Sequence, residues 1–364
     1  MLQEIIIERF RCFDQFKVRP FSRINLIGGQ NNVGKTSLLE ALYLLSSGTV
    51  LAALALKQSR QEPGEMIKQM PLEAWHGLFY NQDISIPIRL QGHYQQLSTP
   101  GEIRELTLSL ENSVESLVAL EKLERVENLD KLMDFLNASK VSTLLGTFKK
   151  GQETLNTSVV ATPRGILNVG DREMPNSLLI SSGVRTKSAK LTQEFDLIRL
   201  QDREDLVLEI LQILDPSLEK IESFNIGEPC LYLKSKNRPR LPLYLFGDAI
   251  NRVMDIVLKI IHHQSREIFI DEVENGLHYS AQRQFWQGIF KLCDRLDVQL
   301  FATTHSLEMI MAFTEAGLSL QADQFAYFEL ARNPKTQRLV AVHRDLEGLR
   351  YTLEVDQGKG VRGE

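Results

Sequence analysis

The chain has 364 residues, of which 43% are hydrophobic and 24% charged, and its formal charge is −5. That length holds one large domain or two ordinary ones, and the composition is that of a soluble globular protein. The mild acidity excludes a surface built throughout for nucleic acid, although local basic patches can still meet phosphate. Cys12, Cys230 and Cys293 are too few and too far apart for a disulfide framework or a zinc set, and the cytoplasm is the expected compartment. No apolar run reaches the ~20 residues of a membrane span, so no membrane partner is expected.

In chain order, strands are predicted over 2–8 and 16–19, which pair, and over 23–27. Together they read as an N-terminal β-meander. Residues 36–60 are predicted helical, ending before Pro63 and Gly64. The stretches 84–94 and 103–110 are strand-like. Residues 112–138 carry apolar positions at helical spacing, enough for one or two helices and no long coiled coil. The stretch 141–190, rich in Thr, Ser and Gly, reads as strands and loops. A helix is predicted over 192–220, with a break at Asp215-Pro216. A hairpin is predicted over 221–225 and 231–235, then a helix over 249–262. A buried strand over 267–270, a helix over 280–296 and a strand over 298–303 follow. A final hairpin spans 325–330 and 339–343.

The most informative segment is Gly29-Gln30-Asn31-Asn32-Val33-Gly34-Lys35-Thr36. It lies between a buried strand and a helix, the context in which such a glycine loop wraps phosphate. Backbone N–H groups of Gly29, Asn31, Asn32, Val33, Gly34 and Ser37 can turn toward phosphate oxygens at a helix N-terminus. Lys35 would reach the β- and γ-phosphates, and the Thr36 hydroxyl would ligate Mg²⁺. A nucleoside triphosphate is the implied ligand, with ATP and Mg²⁺ as the expected pair.

A phosphate loop needs carboxylates, and the strand ending in Asp271-Glu272 offers them. Asp271 suits the Mg²⁺ shell, and Glu272 suits the general base that polarises water. Gln299-Leu300-Phe301-Ala302-Thr303-Thr304-His305-Ser306 is a second strand with polar residues at its carboxyl end, where open α/β sheets bind ligands. His305 could hydrogen-bond the γ-phosphate and the attacking water.

Phosphate loop, Asp-Glu strand and His strand, in this order around a large insertion, resemble the ABC-type ATPase family. Phe10-Arg11-Cys12-Phe13, Leu39-Glu40-Ala41, Asp271-Glu272-Val273-Glu274-Asn275-Gly276-Leu277-His278 and Thr303-Thr304-His305-Ser306 narrow the resemblance to its SMC-like, OLD-type branch. The resemblance implies an α/β P-loop NTPase of ABC-ATPase type, with a mixed sheet, flanking helices and an α+β insertion. The ATPase head would comprise 1–80 and 240–364, and the insertion 81–239. It also implies a homodimer or higher oligomer in which two heads sandwich two nucleotides. Residues 274–278 would lie along the dimer interface. Residues near Phe10 and Phe13 would line the adenine side. Some relatives carry a Toprim nuclease domain. None is expected here, so a controlled effector would be a separately encoded protein.

This chain departs from the family pattern at the signature loop. Its best match is Leu245-Phe246-Gly247-Asp248-Ala249, which lacks the usual serine. Gly247 is the candidate for contacting nucleotide in trans. Gln91 is the candidate for the glutamine that contacts Mg²⁺ from the insertion side. Lys234, Lys236, Arg238 and Arg240 alternate, so one strand would place all four on one face, for nucleic-acid phosphate or simply for solvent. Arg185, Lys187 and Lys190 form a weaker cluster. The expected function is an ATP-hydrolysing switch that dimerises with nucleotide and controls an effector, an anti-phage nuclease being one example. The rival readings are an SMC-like DNA repair clamp, the nucleotide-binding subunit of a transporter, and a small-molecule phosphotransferase.

Overall fold

The structure is a computed structural model that describes residues 1–96, 99–111, 140–169, 177–183, 186–320 and 322–355. The predicted helical segment 112–138 and Arg185 lie outside the described residues. Contacts divide the chain into two compact units, Met1–Phe21 with Thr36–Pro175 and Ser22–Lys35 with Asn176–Glu364. The division into 1–80 with 240–364 and 81–239 is a different one, drawn from motifs and not from contacts.

In the first unit β1 (Leu2–Phe10) and β2 (Phe13–Val18) pair as an antiparallel hairpin. Leu2, Ile5, Ile7 and Phe10 of β1 are buried, as are Phe13, Phe16 and Val18 of β2. The next strand, β3 (Ile24–Gly29), leaves that sheet and belongs to the second unit. The predicted three-strand meander is therefore a hairpin plus a strand of another sheet. After β3 come α1 (Lys35–Ser47), α2 (Ala52–Ser59) and α3 (Gly64–Gln69). The continuous helix predicted over 36–60 is broken at Gly48. Its φ is +63°, outside the helical region, and a Cβ there would lie 2.9 Å from the Phe148 ring.

The strands β4 (Ile88–Gln96), β5 (Thr99–Glu111), β6 (Ser142–Lys150), β7 (Glu153–Thr162) and β8 (Gly165–Val169) follow. They continue the hairpin into a seven-stranded antiparallel sheet, ordered β2-β1-β4-β5-β6-β7-β8. Gln91 sits within β4, opposite Ile6 on one side and Glu105 on the other. Phe10 and Phe13 are core residues, 0% and 1% exposed, which leaves neither ring a face for adenine. Between them Arg11 donates from Nε to Glu40 of α1 at 3.0 Å, and Arg60 donates from Nε to the same carboxylate at 2.6 Å. Glu40 is 1% exposed, so two guanidinium groups are what make its buried charge tolerable.

The second unit adds β9 (Leu178–Ile180), α4 (Ser188–Arg199), α5 (Glu204–Leu214), β10 (Leu218–Ile226), β11 (Glu228–Ser235) and β12 (Leu241–Pro242). The single helix predicted over 192–220 is in fact α4, a turn through Asp202 at φ +53°, α5 and the start of β10. β10, β11 and β12 form a three-stranded antiparallel sheet. The four alternating cations do not share a strand face. β11 ends at Ser235, and the chain turns at Asn237 with φ +62°. Lys234 pairs with Glu219 at 3.3 Å, and Arg240 pairs with Glu222, so acids on β10 offset two of the four charges.

The remaining elements are α6 (Asp248–His263), β13 (Glu267–Ile270), α7 (Tyr279–Leu296), β14 (Gln299–Thr303), α8 (Leu307–Ser319), β15 (Phe325–Arg332), β16 (Leu339–Arg344) and α9 (Leu346–Val355). The second unit's large sheet runs β16-β15-β3-β14-β13-β9, parallel throughout except for β16 at its edge. β3 and β13 are buried along their whole length, which is why they read as unbroken apolar runs. α6 buries Val253, Met254, Ile256, Val257, Ile260 and Ile261 in the same core. Trp286 of α7 meets Phe313 of α8 with ring centroids 5.0 Å apart, and its Nε1–H donates to Met309 Sδ at 2.9 Å. Because β3, β13 and β14 are parallel, their carboxyl ends come out at the same edge of the sheet.

Candidate functional site

The loop after β3 is shaped by backbone that only certain residues tolerate. Gly29 has φ +135°, and a Cβ on it would sit 2.4 Å from the Leu330 carbonyl oxygen of β15. Asn32 and Gly34 also have positive φ, +61° and +98°. Asn31 and Asn32 are exposed, while Val33 is 6% exposed and anchors the loop. Lys35 curls back into the loop, its Nζ donating to Gly29 O at 2.8 Å and to Gln30 O at 2.7 Å. Burial pushes this ammonium below the ordinary lysine pKa, against the opposing pull of Glu274, Glu272 and Asp271. Thr36 and Ser37, half-buried, follow in the first turn of α1.

The carboxylates are organised from β14. Thr303, 1% exposed, donates its hydroxyl to Asp271 Oδ1 at 2.6 Å and accepts the Glu272 N–H at 2.8 Å. Asp271 N–H donates to Ile180 O of β9 at 2.9 Å, which fixes the end of β13 from the other side. Glu272 adopts a left-handed φ of +46°, a conformation a glutamate holds only when its neighbours enforce it. Asn275 Nδ2 donates to Glu272 Oε2 at 2.9 Å. His305 is held by a different residue. Its backbone N–H donates to Glu274 Oε1 at 2.8 Å, and its ring Nδ1 lies 2.9 Å from the same oxygen.

The structure thus brings Lys35, Asp271 and Glu272 into one electrostatic neighbourhood and joins His305 to it through Glu274. Sequence reasoning left Thr303 without a role and gave Glu274 and Asn275 only a place in the 274–278 interface loop, with no part in holding Glu272 or His305. Their only signal was membership in the two motif strings, because each acts through a side-chain bond that spacing does not reveal. Gly247 caps the N-terminus of α6 at φ −57°, with open space where a Cβ would be. Its neighbours Tyr244 and Leu245 are 68% and 61% exposed. An open cavity of about 450 Å³ adjoins this turn, lined by Tyr244, Asp248, Asn251 and Arg252 together with Asn275 and Gly276. Gly276 packs on Arg252, where a Cβ would come within 3.5 Å of Arg252 Cβ.

A largely parallel sheet with a lysine-bearing phosphate loop after one strand and paired carboxylates after another defines a P-loop nucleoside triphosphatase of α/β class. The chain belongs to the AAA ATPase domain family, which matches residues 1–152 and 179–310, and it is an ATPase of that family. It is 28% identical over 339 residues to a protein of Helicobacter pylori named ATP/GTP phosphatase, covering 85% of this chain and 86% of that one. A shorter match, 45% identical over 47 residues, is to the DNA replication and repair protein RecF of Idiomarina loihiensis and covers 13% of each chain. Among solved structures it is similar to the SMC head domain from Thermotoga maritima, at 12% identity and a TM-score of 0.43 over 94% of this chain and 98% of that one. An Smc head bound to the C-winged helix domain of ScpA gives 11% identity and a TM-score of 0.48 over 95% and 98%. No helix among the described residues is long and apolar enough to cross a membrane.

Proposed function

We propose that the chain is a nucleotide-operated switch. ATP and Mg²⁺ would bring two heads together through the Gly247 turn and the 274–278 loop, and hydrolysis would release them to control a separate effector protein. One observation carries this reading. The loop whose Asn275 and Gly276 line the exposed cavity beside Gly247 is also the loop whose side chains hold Glu272 and His305. A partner docking at that cavity would therefore act on a loop that is hydrogen-bonded directly to the residues assigned to hydrolysis.

The chemistry follows from the residues. The loop N–H groups and Lys35 hold the β- and γ-phosphates, and Lys35 offsets charge that builds on the γ-phosphoryl oxygens. Glu272 accepts a proton from the attacking water, held in place by Asn275 and by Thr303 through its backbone. His305 presents its ring to the γ-phosphate. The donor set suits Mg²⁺. The Thr36 hydroxyl and the Asp271 carboxylate are hard oxygen ligands, and no cluster of three His, Cys, Asp or Glu among the described residues would hold a softer metal unaided. Bound there, Mg²⁺ would neutralise phosphate charge. Gln91 remains the candidate for a further Mg²⁺ contact.

The name of the Helicobacter pylori relative supports hydrolysis and adds GTP as a substrate to compare. A DNA-binding clamp is the second reading, favoured by the local match to RecF. The pairing of Lys234 and Arg240 with acids weighs against a basic DNA track on β11.

The deciding experiment is light scattering on Glu272→Gln with and without ATP and Mg²⁺. The amide keeps the shape of the side chain but cannot take the proton, so nucleotide should stay bound and the mass should rise to that of a dimer. Gly247→Trp is a clean second variant, since φ −57° and open space let the indole fit the monomer. It should block the rise in mass. A mass that ignores nucleotide, or normal turnover by Gly247→Trp, overturns the two-head reading.

A further inference from the structure

We propose that Glu274 is a positioning residue for His305. Its carboxylate fixes the imidazole with Nδ1 protonated and Nε2 turned free for the nucleotide. The inference rests on the reading that His305 faces the γ-phosphate.

The geometry has three parts. First, one oxygen of Glu274 receives two contacts from one residue, the His305 backbone N–H at 2.8 Å and ring Nδ1 at 2.9 Å. Two anchors from the same residue fix the ring's direction as well as its place. Second, the pair is asymmetric in exposure. Only 9% of the Glu274 side chain is exposed, against 48% for His305. The carboxylate is the buried foundation, and the imidazole is the accessible tip. Third, a carboxylate accepts and never donates when ionised, so an Nδ1 in hydrogen-bond contact with it must carry the proton. In the neutral ring that leaves Nε2 with a lone pair, able to accept from a water. In the imidazolium, Nε2–H donates to a phosphate oxygen. Either way the acting nitrogen is Nε2, and Glu274 has decided it.

Glu274 does this from a site that also faces the phosphate loop. Among the carboxylates acting on the Lys35 ammonium it ranks first, ahead of Glu272 and Asp271. Its second oxygen, Oε2, is buried and has no hydrogen-bond partner among the described residues. A buried anionic oxygen without a partner is costly and needs a nearby positive charge. Lys35 supplies that charge. The segment 272–275 therefore alternates its tasks. Glu272 is the proposed base, Val273 is buried, Glu274 sets His305, and Asn275 donates to Glu272.

The test begins with the unaltered protein, labelled with ¹⁵N at histidine and assigned by comparison with His305→Gln. Above the pH range where the ring is charged, His305 should show the Nδ1–H tautomer. An Nε2–H ring there overturns the proposal without any variant. Glu274→Ala should release the ring toward the Nε2–H form usual for free histidine. Its kcat should fall by roughly ten- to a hundredfold, the cost typical of removing a carboxylate that orients a functional histidine, with KM for ATP within about twofold. Glu274→Gln keeps an acceptor oxygen at the same place and should recover the tautomer and most of kcat. A kcat for Glu274→Ala within about twofold of the parent protein overturns the proposal. His305→Ala separates the two layers. If it turns over normally, the role given to His305 fails, while the tautomer still reports on Glu274.

Discussion

Thr303→Val tests whether one hydroxyl orders the Asp271 carboxylate and the Glu272 backbone. Valine matches threonine in shape, so the change removes hydrogen bonds and little packing. Two bonds are lost. The first is the O–H donated to Asp271 Oδ1 at 2.6 Å, a bond to a charged acceptor worth about 1.5–3 kcal/mol. The second is the Glu272 N–H accepted at 2.8 Å, and a donor left without its acceptor in a protein interior costs about 1–3 kcal/mol. Thr303 is 1% exposed, so water has little access to replace either bond. A loss of roughly 3 kcal/mol follows, allowing for partial relaxation at Glu272. Thr303→Ser keeps both bonds and gives up one methyl, at about 1 kcal/mol. Urea unfolding of the three proteins measures the order, provided the slopes agree. Thr303→Val should be the least stable and should also lose turnover, since Glu272 is no longer held in its left-handed conformation. If Thr303→Val is as stable as Thr303→Ser, the hydroxyl is not the link described.

Lys35→Ala should abolish tight ATP binding by isothermal titration, because the phosphate charge loses its ammonium partner in a loop that admits little water. An unchanged affinity would remove Lys35 from the site. Chelation of Mg²⁺ with EDTA should weaken ATP binding by at least an order of magnitude in the same assay, because three carboxylates face the loop. Equal binding with and without Mg²⁺ would contradict that electrostatic account.

The parts of this molecule that sequence displays best are those that chemistry ties to local spacing. The phosphate loop needs small residues at positive φ and a lysine a fixed distance on, and Gly29, Gly34 and Lys35 stand where that requirement puts them. β13 and β14 were legible because both faces of each are covered, which leaves an unbroken apolar run before the polar end. The rest depends on partners distant in sequence. Nothing at Thr303 announces that its hydroxyl lies between Asp271 and Glu272, and nothing at Glu274 announces His305. β9, only Leu178–Ile180, is too short to show a period, yet it closes the sheet beside β13. The break at Gly48 was hidden in the helix predicted over 36–60, because Phe148, which lies opposite it, is a hundred residues away in sequence. The basic residues around β11 read as a patch because a sequence does not show the acids on β10 that face them.

The charges of the site pull in two directions. Lys35 faces Glu274, Glu272 and Asp271, and it spends two of its donors on the carbonyls of its own loop. An ammonium held this way is already in place, so phosphate needs only to displace weak carbonyl contacts with stronger charged ones. The three carboxylates work in the opposite direction, since each repels an incoming polyphosphate through a medium less screening than water. In the proposed reading Asp271 would relieve part of this conflict by helping to hold a cation, which would offset its negative charge. Glu274 directs one oxygen, Oε1, to the backbone N–H and ring Nδ1 of His305. Glu272 accepts from the neutral Asn275 amide, so no fixed cation is paired with the carboxylate proposed to meet the attacking water. The three nearby acids thus differ in what each is bonded to, and the division of labour proposed for them rests on those bonds and not on their order in the chain.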